Sequence, residues 1–385
     1  MSYRNRFPML LNNDIVYLDN AALSQKPDIV CQAGNDFYTK YCISTRTKDS
    51  KLGYQISEVV EQTRKKIASL LDANYKNVIF YSGTTEALNQ CAMMISDLIE
   101  DGDEILISVY NHASNILPYF YFFEKIKDVK ITYFDSQQDL MNKISSKTRV
   151  IALSQVTNNV NEHYDMEQIY QKCLKNDIIL VNDAAQAITH KKVTIKNSDF
   201  IAFSANKLYG PTGLGSLVIS DRVFQKIRPK KFGGGSAKSF RNENYDFDYS
   251  AYESGTLNLA GIYQFNKSLD FIEEISLEAI EKEVNELSYY LHDEIAKVQN
   301  VIVYSKPGDA ICLFNVKNVA SQDVASYLGN NDIYVRSGTF CGYLLTETKY
   351  NGTMVRASLS FYNSKEDIDK LCHALKKGGD FLDFL

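Results

Sequence analysis

Three short segments of this 385-residue chain join residue types that can do chemistry together. Gly83-Thr84-Thr85-Glu86 follows the apolar run Val78–Tyr81 and opens a helical stretch at about Ala87. A helix N-terminus presents unpaired N–H groups and the positive end of its dipole, so it can hold a phosphate, and two threonine hydroxyls add donors there. The same junction also reads as a simple N-cap, which threonine fills well. Asp183 closes the apolar run Ile178–Asp183 and precedes Ala184-Ala185-Gln186. A carboxylate at the C-terminal end of a parallel strand faces the crevice where ligands bind, and a buried one needs a cationic partner. Helix capping is the alternative. Ser204-Ala205-Asn206-Lys207 follows the run Phe200–Ser204 and leads into Leu208-Tyr209-Gly210-Pro211-Thr212-Gly213. A lysine among small residues beside a buried turn can lose its proton and act as a nucleophilic amine, although most lysines only solvate a surface.

A phosphate cradle, a carboxylate and a lysine at three strand ends are what a pyridoxal phosphate site requires. The lysine forms the Schiff base, the carboxylate pairs with the ring nitrogen and the cradle anchors the phosphate.

The elements that must position them follow from the pattern between Asn77 and Ser220. The short runs Val78–Tyr81, Glu104–Val109, Lys130–Phe134, Arg149–Gln155, Ile178–Asp183, Phe200–Ser204 and Gly215–Ser220 alternate with helical segments. Most are apolar throughout, as in strands covered on both faces. The pattern predicts an α/β fold with a mostly parallel seven-stranded sheet flanked by helices. An amphipathic helix is expected over Ile56 to Leu71, and an excursion rich in glycine, asparagine and tyrosine over Phe232 to Tyr252. Loops of that length are usually functional. Helices at about Ala260–Glu274 and Leu277–Val298 follow, then strands at Val301–Tyr304, Ala310–Val316, Ile333–Arg336 and Met354–Phe361. A last helix opens on Ser364 with Asp367 three residues on, a capping-box pattern. We expect a large domain over residues 20–275 and a smaller α+β domain built from residues 1–19 and 276–385.

Composition narrows the function classes. The chain is 45% hydrophobic and 23% charged, which suits a folded protein and excludes wholesale disorder. With 42 Lys plus Arg against 47 Asp plus Glu, the net charge of -5 gives no basic stripe for nucleic acid. Seven cysteines without a CxxC or CxxxC pair suggest no disulfide framework and no metal site. No apolar run reaches the ~18 residues of a membrane helix, and the apolar patch Phe7 to Leu11 is shorter than a usual signal-peptide core. A cytoplasmic location with free thiols is expected.

In its motifs the chain resembles the class V, fold-type I pyridoxal-phosphate enzymes, and most closely the SufS-type, group II cysteine desulfurases. The resemblance runs from VYLDNAALSQKP through GTTEALN, NHASNILPY, VNDAAQA, SANKLYGPTGLG, FGGGS and YESGTLN to VRSGTFC and RASLSFYNSKEDID. It implies pyridoxal 5'-phosphate as cofactor, with Lys207 as its covalent anchor, Asp183 on the pyridine nitrogen, Gln186 on the ring hydroxyl and His112 stacked on the ring. Thr84, Thr85 and Ser204 would hold the phosphate, and Thr256 would reach the phosphate of a partner subunit. Asn158 and Arg356 would hold the substrate carboxylate, with Arg336 beside them, and Cys341 would accept sulfur.

The residue types agree with these roles. A flat imidazole at His112, past the run Glu104–Val109, can stack on a ring and pass protons; a buried helix cap is the other reading. Arg356 lies in an otherwise apolar strand, so its planar fork needs an anion, whether a substrate or an internal salt-bridge partner. Cys91, Cys173, Cys312 and Cys372 fall on apolar faces and read as core thiols, and Cys31 and Cys42 lie outside any motif. Cys341 follows the Ser337-Gly338-Thr339 turn, where nearby Arg336 can favour its thiolate.

Three departures from the family pattern stand out. Asn206 replaces a histidine before the lysine and can still donate to a phosphate. Thr339-Phe340-Cys341-Gly342 replaces His-His-Cys-Ala. Ser44-Thr45-Arg46-Thr47-Lys48-Asp49-Ser50 replaces a His-Arg-Gly-x-x-His stretch.

The expected activity is conversion of L-cysteine to L-alanine with a persulfide left on Cys341. The chain is expected to be a homodimer and to pass sulfur to a SufE-like acceptor protein for iron–sulfur or thio-cofactor assembly. Two other readings stand beside it: a class V aminotransferase or lyase acting on another amino acid, and a non-catalytic scaffold of the same fold.

Overall fold

The computed structural model describes residues 3–45, 49–123, 128–160, 162–235, 249–348 and 352–377. Arg46, Thr47, Lys48 and Ser236 of the motifs above, and much of the excursion over 232–252, lie outside the described residues. The strands are β1 (Val16–Tyr17), β2 (Val78–Tyr81), β3 (Glu104–Ser108), β4 (Lys130–Phe134), β5 (Thr148–Ser154), β6 (Ile179–Asp183), β7 (Phe200–Ser204), β8 (Gly215–Ile219), β9 (Val301–Val303), β10 (Ile311–Val316), β11 (Ile333–Tyr334), β12 (Arg336–Gly338) and β13 (Met354–Ser358).

The central sheet has seven strands in the order β2-β8-β7-β6-β5-β3-β4. β7, β6, β5, β3 and β4 pair in parallel, while β8 runs antiparallel to both β7 and β2. The expected mostly parallel sheet is therefore present. Its strands read as continuous apolar runs because side chains alternate between two cores. Phe200 and Ala202 pack on one face with Leu88 and Cys91 of the helix Thr84–Ile95. Ile201 and Phe203 pack on the other with Phe265 and Leu269 of the helix Leu259–Ile275. Full burial of a Phe, Ile or Leu side chain contributes about 1.5–3 kcal/mol, which fixes the face that each β7 residue takes.

β12, β13, β10 and β9 form a second, antiparallel sheet. Its core joins Leu287 and Leu291 of the helix Leu277–Ala296 to Ile368 and Leu371 of the helix Lys365–Lys377. The last helix carries the capping box expected: Asp367 N–H donates to Ser364 Oγ at 3.3 Å, and Ser364 N–H to the Asp367 carboxylate at 3.2 Å. β1 pairs in parallel with β11, and Asp19 bridges to Ser358. The chain thus passes from the separate β1–β11 pair, alongside the end of β13, to Ala21 beside the crevice.

Some boundaries differ from the sequence pattern for identifiable reasons. The helix expected from Ile56 begins at Lys51, because Ser50 caps it by accepting from Gly53 N–H at 3.0 Å. The strand expected over Ile333–Arg336 is two strands, one paired with β1 and one with β13. The strand expected to reach Phe361 ends at Ser358, after which Leu359 N–H turns to the Ala310 carbonyl at 2.7 Å.

Candidate active site

Every central strand except β8 ends at the same edge, so the segments after β2, β3, β5, β6 and β7 converge on one crevice. Such an edge is where ligands bind in sheets of this class.

After β2 the chain turns at Gly83 into the helix Thr84–Ile95. Thr84 N–H donates to Ser204 Oγ at 2.7 Å, and the two hydroxyls lie 2.7 Å apart. Thr85 Oγ1 lies 2.8 Å from Ser114 Oγ. Four hydroxyls from three segments thereby gather at one helix N-terminus. Glycine at 215 permits this: a Cβ there would stand 2.5 Å from the Phe203 carbonyl oxygen and 2.6 Å from Gly83 Cα.

Asp183 ends β6 buried, and its Oδ1 accepts from Ala185 N–H at 3.1 Å. Burial raises its pKa to about 6, against the opposing pull of that hydrogen bond and of Lys207. Lys207 lies in the turn Ala205–Lys207 that follows β7. Burial is the main cause that lowers its amine to about 8, and Arg356 adds to the effect. Its Nζ donates to the Ala21 carbonyl, which also accepts from Gln186 Nε2 at 2.9 Å. The Asn206 carbonyl accepts from Ser24 Oγ at 2.8 Å and from Lys26 Nζ at 3.0 Å. Burial in turn lowers the Lys26 amine to about 7.

His112 lies in the segment that follows β3. It caps the short turn Ala113–Asn115, with Nδ1 accepting from Ser114 N–H at 3.1 Å, and it borders the crevice. An accepting Nδ1 assigns the neutral ring's proton to Nε2. Burial, followed by the nearby Lys207, Arg336 and Arg356, lowers its pKa to about 4, so the ring is neutral at physiological pH.

The second sheet closes the crevice from the other side. Arg356 on β13 is 2% exposed, and its Nη2 bonds to Asp19 at 3.0 Å. Its Nη1 donates to the Asn158 carbonyl at 3.1 Å, while Nε is buried without a partner among the described residues. The internal ion pair is therefore present, and an unused edge of the guanidinium remains. Cys341 is half-buried in the loop after β12. Phe340 and Cys341 both adopt left-handed backbone, with φ of +54° and +58°. Non-glycine residues held there cost about 1–3 kcal/mol each.

All these groups line one cavity of about 220 Å³: Thr84, Thr85, His112, Asn158, Asp183, Gln186, Ser204, Asn206, Lys207, Arg336, Cys341 and Arg356. Thr256 does not. It lies in a separate depression with Glu86, Lys231 and Tyr252. Reasoning from sequence missed Ala21, Ser114 and Phe340, which also line the cavity, and Asp19 and Lys26 behind it. Ser114 was within reach as the second residue after His112 in the NHASN motif. Asp19, Ala21 and Lys26 stand in the VYLDNAALSQKP motif and Phe340 beside Cys341, but nothing local shows that these segments fold back on the cavity.

The donor set fits pyridoxal 5'-phosphate. Hydroxyls at a helix N-terminus suit its phosphate, a buried carboxylate suits a protonated ring nitrogen, and a depressed lysine amine suits covalent attachment, all within one cavity.

The aminotransferase class-V family model matches residues 16–371. A probable cysteine desulfurase of Ureaplasma parvum is 34% identical over 392 residues, covering 97% of this chain and 96% of the relative. Another, from Borreliella burgdorferi, is 32% identical over 400 residues, covering 97% and 95%. Among solved structures, the cysteine desulfurase CsdA of Escherichia coli superposes with a TM-score of 0.90 at 26% identity, covering 97% of each chain. The apo cysteine desulfurase of Thermococcus onnurineus NA1 gives 0.92 at 27% identity, covering 97% of this chain and 96% of that one.

Proposed function

The chain belongs to the aminotransferase class-V family, and from that premise we propose that it is a pyridoxal-phosphate-dependent cysteine desulfurase, converting L-cysteine to L-alanine and leaving the sulfur on Cys341. The observation that carries the reading is that Lys207, Asp183, Arg356 and Cys341 border one cavity although two different sheets supply them.

The residues divide the work. Thr84, Thr85 and Ser204 would hold the cofactor's phosphate, with Asn206 beside them. Asp183 would hold its ring nitrogen, Gln186 its ring hydroxyl and His112 its ring face. When bound, pyridoxal 5'-phosphate supplies the electron sink that makes loss of the substrate α-proton feasible. Lys207, lowered to about 8, is neutral in part at physiological pH and can take that proton on Nζ and return it. Arg356, with Arg336 and Asn158 beside it, would orient the substrate carboxylate. The buried position of Arg356 strengthens that contact by excluding water.

Cys341 then accepts the sulfur as a thiolate. A bond forms between its Sγ and the substrate sulfur, the substrate C–S bond breaks, and Cβ keeps the electron pair. Protonation of that carbon gives the methyl group of alanine.

The active form is a homodimer, in which Thr256 of one subunit reaches the phosphate held by the other. The place of Thr256 outside its own chain's cavity supports this reading. The persulfide sulfur passes to an acceptor protein of the SufE kind, for which the half-exposed position of Cys341 leaves an approach. A cytoplasmic setting supplies the reduced thiols that this chemistry needs. Among the described residues no helix is long and apolar enough to cross a membrane.

Purified holoenzyme supplied with L-cysteine and a thiol reductant tests the function. Alanine and sulfide should appear in equal amounts. Keto acid in place of alanine would assign the chain to transamination or another lyase reaction.

A further inference from the structure

A buried aromatic ring joins the substrate-carboxylate arginine to the sulfur-accepting loop. Phe340 is 4% exposed, and it and Cys341 hold left-handed backbone in succession. Two such residues persist only where the surroundings determine them. Here the determining contacts form a closed circuit. The Arg356 guanidinium carbon lies 4.9 Å from the centroid of the Phe340 ring. The Phe340 carbonyl accepts from Asn158 Nδ2 at 2.8 Å, and the Asn158 carbonyl accepts from Arg356 Nη1 at 3.1 Å. Just beyond the circuit the Cys341 carbonyl accepts from Ala113 N–H at 2.9 Å, beside His112.

The attraction between a guanidinium and a ring face depends on the charge and position of the cation. A carboxylate arriving on the unused edge of Arg356, where Nε is unpartnered, changes both. Phe340 feels that change directly and is bonded to Cys341. We propose that Phe340 is a positioning residue that couples occupancy of the carboxylate subsite at Arg356 to the placement of the Cys341 thiol. This rests on the desulfurase reading above, and it adds that an amino-acid carboxylate sets the nucleophile as it binds.

Propionate, which carries the carboxylate but no amine or sulfur, probes the coupling in the holoenzyme. Alkylation of Cys341 by iodoacetamide is followed peptide by peptide, with and without propionate. In the parent protein, saturating propionate should change the Cys341 rate several-fold and leave the other cysteines unaffected. Phe340→Leu should abolish that response while propionate still competes with cysteine. Its kcat should fall about ten- to a hundred-fold, the scale of a misplaced reacting group, with a much smaller change in KM. Phe340→Tyr should restore both properties, and Phe340→Met supplies the ringless comparison if the leucine variant does not fold. Ringless variants that keep the propionate response, or lose only KM, would overturn the coupling. So would a parent protein whose Cys341 rate ignores propionate. These outcomes are separate from the function itself: a parent that makes no alanine from cysteine refutes the desulfurase reading whatever the alkylation shows.

Discussion

Arg336 stands directly opposite Arg356 across the antiparallel pair β12–β13, and both side chains border the same cavity. Like charges in register oppose folding, and Asp19 compensates only one of them, through its 3.0 Å contact with Arg356. The excess positive charge suits an anionic substrate. Arg336→Gln should therefore raise the melting temperature of the ligand-free chain and raise KM for cysteine by about ten-fold or more, the scale of a lost charge-assisted contact. Calorimetry and steady-state kinetics read the two effects. A variant with unchanged KM would remove Arg336 from the substrate site.

The buried amine of Lys207 predicts a pH dependence. Its folded-state pKa, about 8, lies below the ordinary 10.5. Between those values the unfolded chain binds more protons, so stability rises with pH there. The cost is fully present below about pH 8 and amounts to up to about 3 kcal/mol. Ligand-free Lys207→Met should melt above the parent at pH 7, and the gap should close as pH rises from about 8 towards 10.5. A gap that stays constant across that window would show that the amine is not destabilised by burial.

Gly215 tests the packing of the phosphate cradle. Its added Cβ would meet backbone atoms on two sides, the Phe203 carbonyl at 2.5 Å and Gly83 Cα at 2.6 Å. Gly215→Ala should cost about 1–3 kcal/mol, as overpacked sites do, and should weaken cofactor binding by displacing Gly83 and Thr84. Denaturant unfolding and equilibrium titration with pyridoxal phosphate measure these. Tight cofactor binding in a destabilised variant would detach the cradle from this contact.

Thr256 tests the composite site. Thr256→Val should leave the subunit's own unfolding midpoint within about 0.5 kcal/mol, as is usual away from core contacts. It should nevertheless speed cofactor loss from the holoenzyme. A monomer in solution that retains its cofactor fully would contradict the shared site.

The sheet and the groups at its strand ends were legible because each is a local pattern. Asp183 closes one apolar run and Lys207 lies in the turn just past another, and a parallel sheet places such ends at one edge whatever follows. His112 was legible in the same way, in the segment that follows β3. The second sheet was less so. That Arg336 faces Arg356 depends on the pairing of β12 with β13, eighteen or so residues apart, and no periodicity specifies that register. Asp19 and Ala21 reach the site only because β1 pairs with β11, a contact across most of the chain. The left-handed Phe340 and Cys341 carry no glycine or asparagine to announce them; Asn158, Ala113 and Arg356 impose that shape from elsewhere. The places of the strand-end residues were readable, and the non-local contacts around them were not.

The central claim is that Cys341 takes the sulfur, and single-turnover labelling tests it most directly. Holoenzyme mixed with sulfur-labelled L-cysteine, without reductant or acceptor, is quenched, digested and mapped by mass spectrometry. One added sulfur atom is expected on the peptide containing Cys341, matched by one equivalent of alanine. In Cys341→Ala both should be lost while the cofactor stays bound and continues to respond spectrally to cysteine. Label on another cysteine, or alanine formed by Cys341→Ala at the parent's rate, would contradict it.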